Sequence, residues 1–188
     1  KQKTAYEIPK RDWSSDVCSS DLASSIPILA QGIPFIHAGQ EFQRTKNGDS
    51  NSYKSSDKIN ALNWDLVTTN AVSRNYFKGL IEIRKNHPIF RLSTSAQVKA
   101  SLTFLTTPNA VIAYELNGEK VKDKWKQVVV IHNAGQAPFK MNLPKKGDWR
   151  VVVEGERASQ KELRVLKNAT SIEVAGQTTS VLYLGNRS

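Results

Sequence analysis

The alternation of apolar and polar positions divides the chain into two parts of different character. From Ala23, the run ASSIPILAQG is small and apolar and stops at Gly32, which predicts the tail of a buried helix. GIPFIHAGQEF follows, with Pro34 near its start. A short apolar run of this kind predicts a strand buried on both faces, as in a parallel sheet. Residues 39–63 are then polar, rich in Asn, Ser, Asp and Lys, and longer than an ordinary connection. Asn70 to His87 has helical spacing: Val72, Tyr76, Phe77, Leu80, Ile81 and Ile83 make one apolar face. Asn70 suits the cap, Lys85 and His87 suit the negative end of the dipole, and Pro88 stops the helix.

Beyond residues 92–98 the period changes to that of short β-strands. Leu102 to Leu105, Val111 to Leu116, Gln127 to His132, Phe139 to Leu143, Trp149 to Glu154, Ser171 to Val174 and Ser180 to Leu184 are β-type runs. Asn117-Gly118 and Glu154-Gly155 supply turns. The expected architecture is therefore a strand–loop–helix unit followed by an all-β antiparallel sandwich, with the boundary at residues 92/93.

Residues 1–22 fit neither part. They show no apolar periodicity, and Lys1 to Glu7 and Asp12 to Leu22 translate codon by codon from the two constant stretches of a widely used sequencing adapter flanking a variable index. They are read as non-native, leaving 23–92 and 93–188 as the genuine units. Cys18, the one cysteine, then drops out, and with it any disulfide, thiolate or Cys-based metal site. Four cations and four anions in this stretch cancel, so the net charge of +10 belongs to the rest. Its basic residues are scattered and interleaved with Asp and Glu. That pattern suits a solvated basic surface and argues against nucleic acid as a partner. No apolar run is long enough for a membrane span, and no signal-peptide h-region is present.

The polar loop is where chemistry could lie. Glu41, Asp49 and Asp57 are its carboxylates. Glycoside hydrolysis needs an acid and a nucleophile or base facing one bond, and no such pair is evident. His37 either touches a ligand or is a hydrogen-bonded packing residue, while His87 and His132 read as structural. Asp49, Asn51 and Asp57 could offer oxygens to calcium but lack regular acidic spacing, and no His pair has zinc-ligand spacing. Asp49, Asn51, Tyr53, Asp57, Asn60 and Trp64 together suit a neutral sugar, by paired donors and acceptors with an aromatic face; an ordinary polar surface loop would look the same.

At GIPFIHAGQEFQRTKNGDSNSYKSSDKINALNWD the chain resembles glycoside hydrolase family 13, and within it the pullulanases. The Gly-x-Pro start and Gly-x-Glu end are similar to the family's last barrel strand. Glu41, Phe42, Arg44, Thr45, Gly48, Asn51 and Tyr53 resemble the debranching subgroup, and FKGLIEIRKNHPIFRL resembles the final barrel helix. His37-Ala38-Gly39-Gln40 and Asn51-Ser52-Tyr53 favour pullulanase over isoamylase-type enzymes. The resemblance implies the end of a (β/α)₈ TIM barrel followed by a β-sandwich. It implies a retaining hydrolase of α-1,6 branch linkages in pullulan, amylopectin or limit dextrins, with Asp nucleophile, Glu acid/base and a second Asp on earlier strands. None of those motifs occurs here, so no residue of this chain is assigned as catalytic, and the chain alone is expected to be inactive. By position, Arg44, Asp49, Asn51, Tyr53 and Asp57 are the substrate-binding candidates. No cofactor is expected in this chain, with calcium left open for the longer parent.

Overall fold

The computed structural model describes residues 13–185, with side chains from residue 20 onward; residues 1–12 and the side chain of Cys18 lie outside the described set. Helix α1 spans Trp13–Leu29 and continues without a break through Leu22 and Ala23. The helix tail expected from Ala23 is therefore present, with Ser24, Ser25, Ile28 and Leu29 buried. Helix α2 spans Ala71–Asn86, and α3 is a short helix, Ser95–Ser101.

The strand expected within GIPFIHAGQEF does not form. Residues 33–37 form no ladder and lead into a single 3₁₀ turn, Gln40–Phe42. A strand exists only where neighbours take up its N–H and C=O groups, and no described residue pairs with this one. Ile33 and Phe35 are consequently 97% and 91% exposed. No parallel pairing occurs among the described strands, so the barrel remnant is not reproduced as a barrel unit.

Helix α2 packs as its periodicity dictates. Tyr76, Phe77, Leu80 and Ile83 are buried. Burying each such side chain stabilises the fold by about 1.5–3 kcal/mol. Val72 and Ile81, expected on the same face, are 55% and 40% exposed. Asn70 occupies the cap position, yet its amide donates to Phe42 O (2.9 Å) instead of the helix N-terminus. Gly79 is required by packing: a Cβ there would fall 2.1 Å from the carbonyl oxygen of Ala158.

Seven strands follow: β1 Leu102–Phe104, β2 Val111–Asn117, β3 Trp125–Asn133, β4 Phe139–Glu154, β5 Arg157–Ala158, β6 Arg164–Val174 and β7 Thr178–Gly185. All pair antiparallel in the order β1-β2-β3-β7-β4-β5, with β6 on β4. The two runs expected at Phe139 to Leu143 and Trp149 to Glu154 are one strand, irregular near Gly147. Its first part pairs with β6 alone, and its last part also pairs with β7. β4 thereby links β6 to the rest of the sheet through its pairing with β7.

Strand alternation then separates two cores. Val111, Ala113, Val129, Ile131, Val151 and Leu182 face inward with Met141, Trp149 and Ile172. Tyr114, Leu116, Val128, Val130, Val152 and Val181 face the other way, against α1 and α2.

Long-range contacts join the two helices to each other and to the sheet. The buried Arg84 guanidinium donates to Ile28 O, Ala30 O and Gly32 O, satisfying carbonyls at the C-terminus of α1. Tyr114 Oη donates to Leu29 O (3.2 Å). At the end of α2, His87 stacks on Trp125 (centroids 3.5 Å apart) and pairs with Asp123 (2.8 Å). His87 and His132 are both buried, as their structural reading requires.

Candidate functional site

The polar segment following residues 33–37 is ordered by its own hydrogen bonds. Gly39 opens it with φ +89°, where a Cβ would meet the Arg44 side chain at 2.8 Å. Gly39 O accepts from the N–H groups of Phe42 (3.3 Å) and Arg44 (2.9 Å). Gln40 Nε2 donates to Ser24 Oγ of α1 (2.8 Å), and Gln43 Nε2 donates to Ser73 Oγ of α2 (2.7 Å). Phe42 is buried and carries the exposed Trp64 ring, 5.7 Å between centroids. The segment is thereby tied to both helices.

All five candidates contribute to the internal bonding or the turns of the loop. The Arg44 guanidinium donates to Asn60 O, and its Nε is buried without a partner among the described residues. The Asp49 carboxylate accepts from Asn51 N–H (3.0 Å) and from Ser55 Oγ. Those two bonds, Ser55's foremost, hold Asp49 below the usual carboxylate range. A general acid needs the opposite shift. Asp57 is exposed and begins a one-turn helix, Asp57–Asn60. Tyr53, 76% exposed, sits in a 3₁₀ turn, Ser52–Lys54, with Lys54 Nζ 5.3 Å from its ring centroid.

Asn60, one of the residues suited to a sugar, turns its amide inward and donates to Ser52 O (2.7 Å) and Ser55 O (2.9 Å). Lys46 also donates to Ser52 Oγ. Asn60, Lys46, Ser52 and Ser55 are thus the scaffold of the turn that displays Tyr53. The Asp49-x-Asn51 spacing, which fits an Asx turn, was the sequence signal for part of this. What remains on the surface for a ligand is the pair of aromatic faces, Tyr53 and Trp64, with the exposed Asn51 and Asp57.

His37 is exposed, so it is not a packing residue. Together with Ile36, Glu41, Phe77 and Ile81 it lines a groove of about 500 Å³ beside α2. Among the described residues, no group of three or more His, Cys, Asp or Glu side chains is placed to hold a metal. No described helix is long and apolar enough to cross a membrane.

Comparison with known proteins adds the family. The family model described as "Pullulanase, all-beta domain" matches residues 98–157, from within α3 to the start of β5. The pullulanase of Bacillus subtilis (strain 168) is 38% identical over 184 residues, 98% of this chain and 25% of that protein. The chain is a relative of the pullulanases. A crystal structure of pullulanase type I from Bacillus subtilis str. 168 complexed with maltose superposes with a TM-score of 0.87 and 38% identity, covering 95% of this chain and 25% of the other. An isoamylase from Flavobacterium sp is 27% identical over 150 residues, 68% of this chain and 19% of that protein. The chain thus spans about a quarter of the length of the pullulanase it matches. That alignment, at 184 of 188 residues, also runs into the stretch read as adapter.

Proposed function

We propose that the chain is the C-terminal part of a pullulanase-type glycoside hydrolase whose parent cleaves α-1,6 branch linkages in pullulan, amylopectin or limit dextrins. The observation that carries this reading is the 38% identity to a pullulanase sustained over 98% of the chain. In the parent, residues 33–37 would be the last strand of a (β/α)₈ barrel and α2 its last helix. The exposure of Ile33 and Phe35 supports this, since large apolar side chains that open to water on one short segment want a neighbour. The loop carrying Arg44, Asp49, Asn51, Tyr53 and Asp57 would then border the glucan cleft at the strand's C-terminal end. Tyr53 and Trp64 would stack on sugar rings.

The reaction needs an acid and a nucleophile on opposite sides of the anomeric carbon. The loop carboxylates offer no such pair, so the chain alone is inactive. Incubating the 188-residue chain with pullulan should release no reducing ends, and any debranching would overturn this point. Rates of the full-length parent on pullulan and on glycogen test the substrate: faster turnover of glycogen would make the parent an isoamylase-type enzyme.

A second reading is a carbohydrate-binding β-sandwich module, residues 95–188, without catalysis; the exposed Tyr53 and Trp64 faces favour glucan binding but lie in the loop outside the sandwich. Retarded migration of the chain in a glucan-containing gel would support it. We further read residues 1–22 as non-native on their codon-by-codon match to adapter; genomic DNA encoding the same 22 residues upstream of Ala23 would refute that.

A further inference from the structure

The chain carries two Asn-Gly pairs, Asn47-Gly48 and Asn117-Gly118, and the fold holds them differently. An asparagine side-chain amide is open to attack by the backbone nitrogen of the next residue, most of all when that residue is glycine and no Cβ shields the nitrogen. The two groups must be free to meet. The hydrogen bonds and packing around each pair therefore decide whether the reaction runs.

Asn47 and Gly48 are the central residues of the turn 46–49, which Asp49 N–H closes on Lys46 O (3.0 Å). Both have positive φ, 53° and 82°, and both are exposed. Asn47 N–H is tied to Thr45 Oγ1 (3.0 Å). No described residue takes up the Asn47 side-chain amide or the Gly48 N–H. A Cβ on Gly48 would meet nothing within 4 Å, so the space for ring closure is open.

Asn117 ends β2 in register with Gln127 of β3, and its Oδ1 accepts from Glu119 N–H (3.1 Å). Gly118 is buried at the start of a 3₁₀ turn, Gly118–Val121, and its carbonyl accepts from Asp123 N–H (2.9 Å). A Cβ on it would fall 1.9 Å from Trp125 O. The Gly118 nitrogen cannot swing toward the Asn117 amide without local opening of this corner of the sheet.

We propose that Asn47 is a site of spontaneous deamidation, with water as the co-reactant, and that the fold keeps Asn117 inert. Gly48 N attacks Asn47 Cγ and a new N–C bond forms. The Gly48 amide proton passes to solvent, and the side-chain nitrogen leaves as ammonia. Water then opens the five-membered imide at either carbonyl. One opening gives aspartate; the other gives isoaspartate, whose backbone runs through the former side chain and is one atom longer. Either product puts a carboxylate beside Lys46, and isoaspartate also lengthens the turn that Asp49 N–H closes. The site lies between Arg44 and Asp49 but requires nothing of the sugar-binding reading.

The test is storage of the purified 188-residue chain at pH 8, with and without urea, followed by peptide mapping by mass spectrometry. In the native chain, conversion at Asn47 should be at least about ten-fold faster than at Asn117. In urea, where neither pair is held, the two rates should come within about three-fold of each other. Asn47→Gln should remove the converted loop peptide and leave the rate at Asn117 unchanged. A native ratio no larger than the ratio in urea overturns the proposal. A loop peptide that gains acid as fast in Asn47→Gln as in wild type overturns it too. Should the variant fail to fold, the two wild-type ratios decide by themselves.

Discussion

Asp123 fixes the end of α2 to the sheet, and replacing it by Ala measures that joint. Its carboxylate is fully buried and accepts three hydrogen bonds: from His87 Nδ1–H (2.8 Å), Ile89 N–H (3.1 Å) and Trp125 N–H (2.9 Å). Burial pushes the carboxyl up, but these donors outweigh it and hold Asp123 below the usual range. Asp123→Ala leaves two buried backbone N–H groups without acceptors, each costing about 1–3 kcal/mol, and frees His87 from its partner. Taking the lower end for each backbone group and the charged bond at about 1.5–3 kcal/mol, the loss is about 3.5–5 kcal/mol at pH 7. That matches the cost of breaking other buried pairs. The assay is urea denaturation followed by circular dichroism, repeated from pH 7 down to pH 2. Because the folded value is depressed, the charge-dependent part is present above the unfolded pKa of about 3.8 and is lost as pH falls below it. The two proteins should therefore converge in acid. A deficit under about 1 kcal/mol, or one that persists undiminished at low pH, would refute the view that the ionised carboxylate holds this joint.

Arg84→Ala should cost about 2–4 kcal/mol, measured in the same denaturation assay, because three carbonyls at the end of α1 lose a charged donor. Gly79→Ala, which would favour an exposed helix by about 1 kcal/mol, should instead destabilise by about 1–3 kcal/mol, since the new methyl meets Ala158 O; a higher Tm would contradict the packing described. Replacing Ile33 and Phe35 together by Ser should raise the monomer fraction in size-exclusion chromatography while changing stability by no more than about 0.5 kcal/mol, because both side chains stand in water.

Much of the fold was legible because it depends on local periodicity. Tyr76, Phe77, Leu80 and Ile83 announced α2, and the alternation of Trp149 and Val151 announced the later part of β4. Val153, expected on their face, turns to the other core with Val152 across a shift of register. Helix α3 was not legible, since SAQVKAS carries one apolar side chain besides alanine and no stripe. The continuity of β4 was hidden by Pro144-Lys145-Lys146-Gly147, which reads as a break and proves to be an irregular stretch within one strand. The strand expected at residues 33–37 failed because sequence records the apolar run but not the neighbours it needs. In the loop, the Asx spacing of Asp49 and Asn51 was visible, whereas the inward turn of Asn60 and the bond from Arg44 depend on how the chain closes. Asp123 and Arg84 were unreadable for the same reason: Ile89 and Ile28, which they bind, lie 34 and 56 residues away.

The place of β7 in the sheet has a consequence for synthesis. It is the last of the seven strands in sequence, yet it lies between β3 and β4 and pairs with both. Until Thr178–Gly185 has left the ribosome, β1–β3 and β4–β6 cannot join. Each half meanwhile presents an open edge of Val, Ile and Leu to other nascent chains. The late central strand therefore makes the interval before it emerges the most aggregation-prone in the life of this domain.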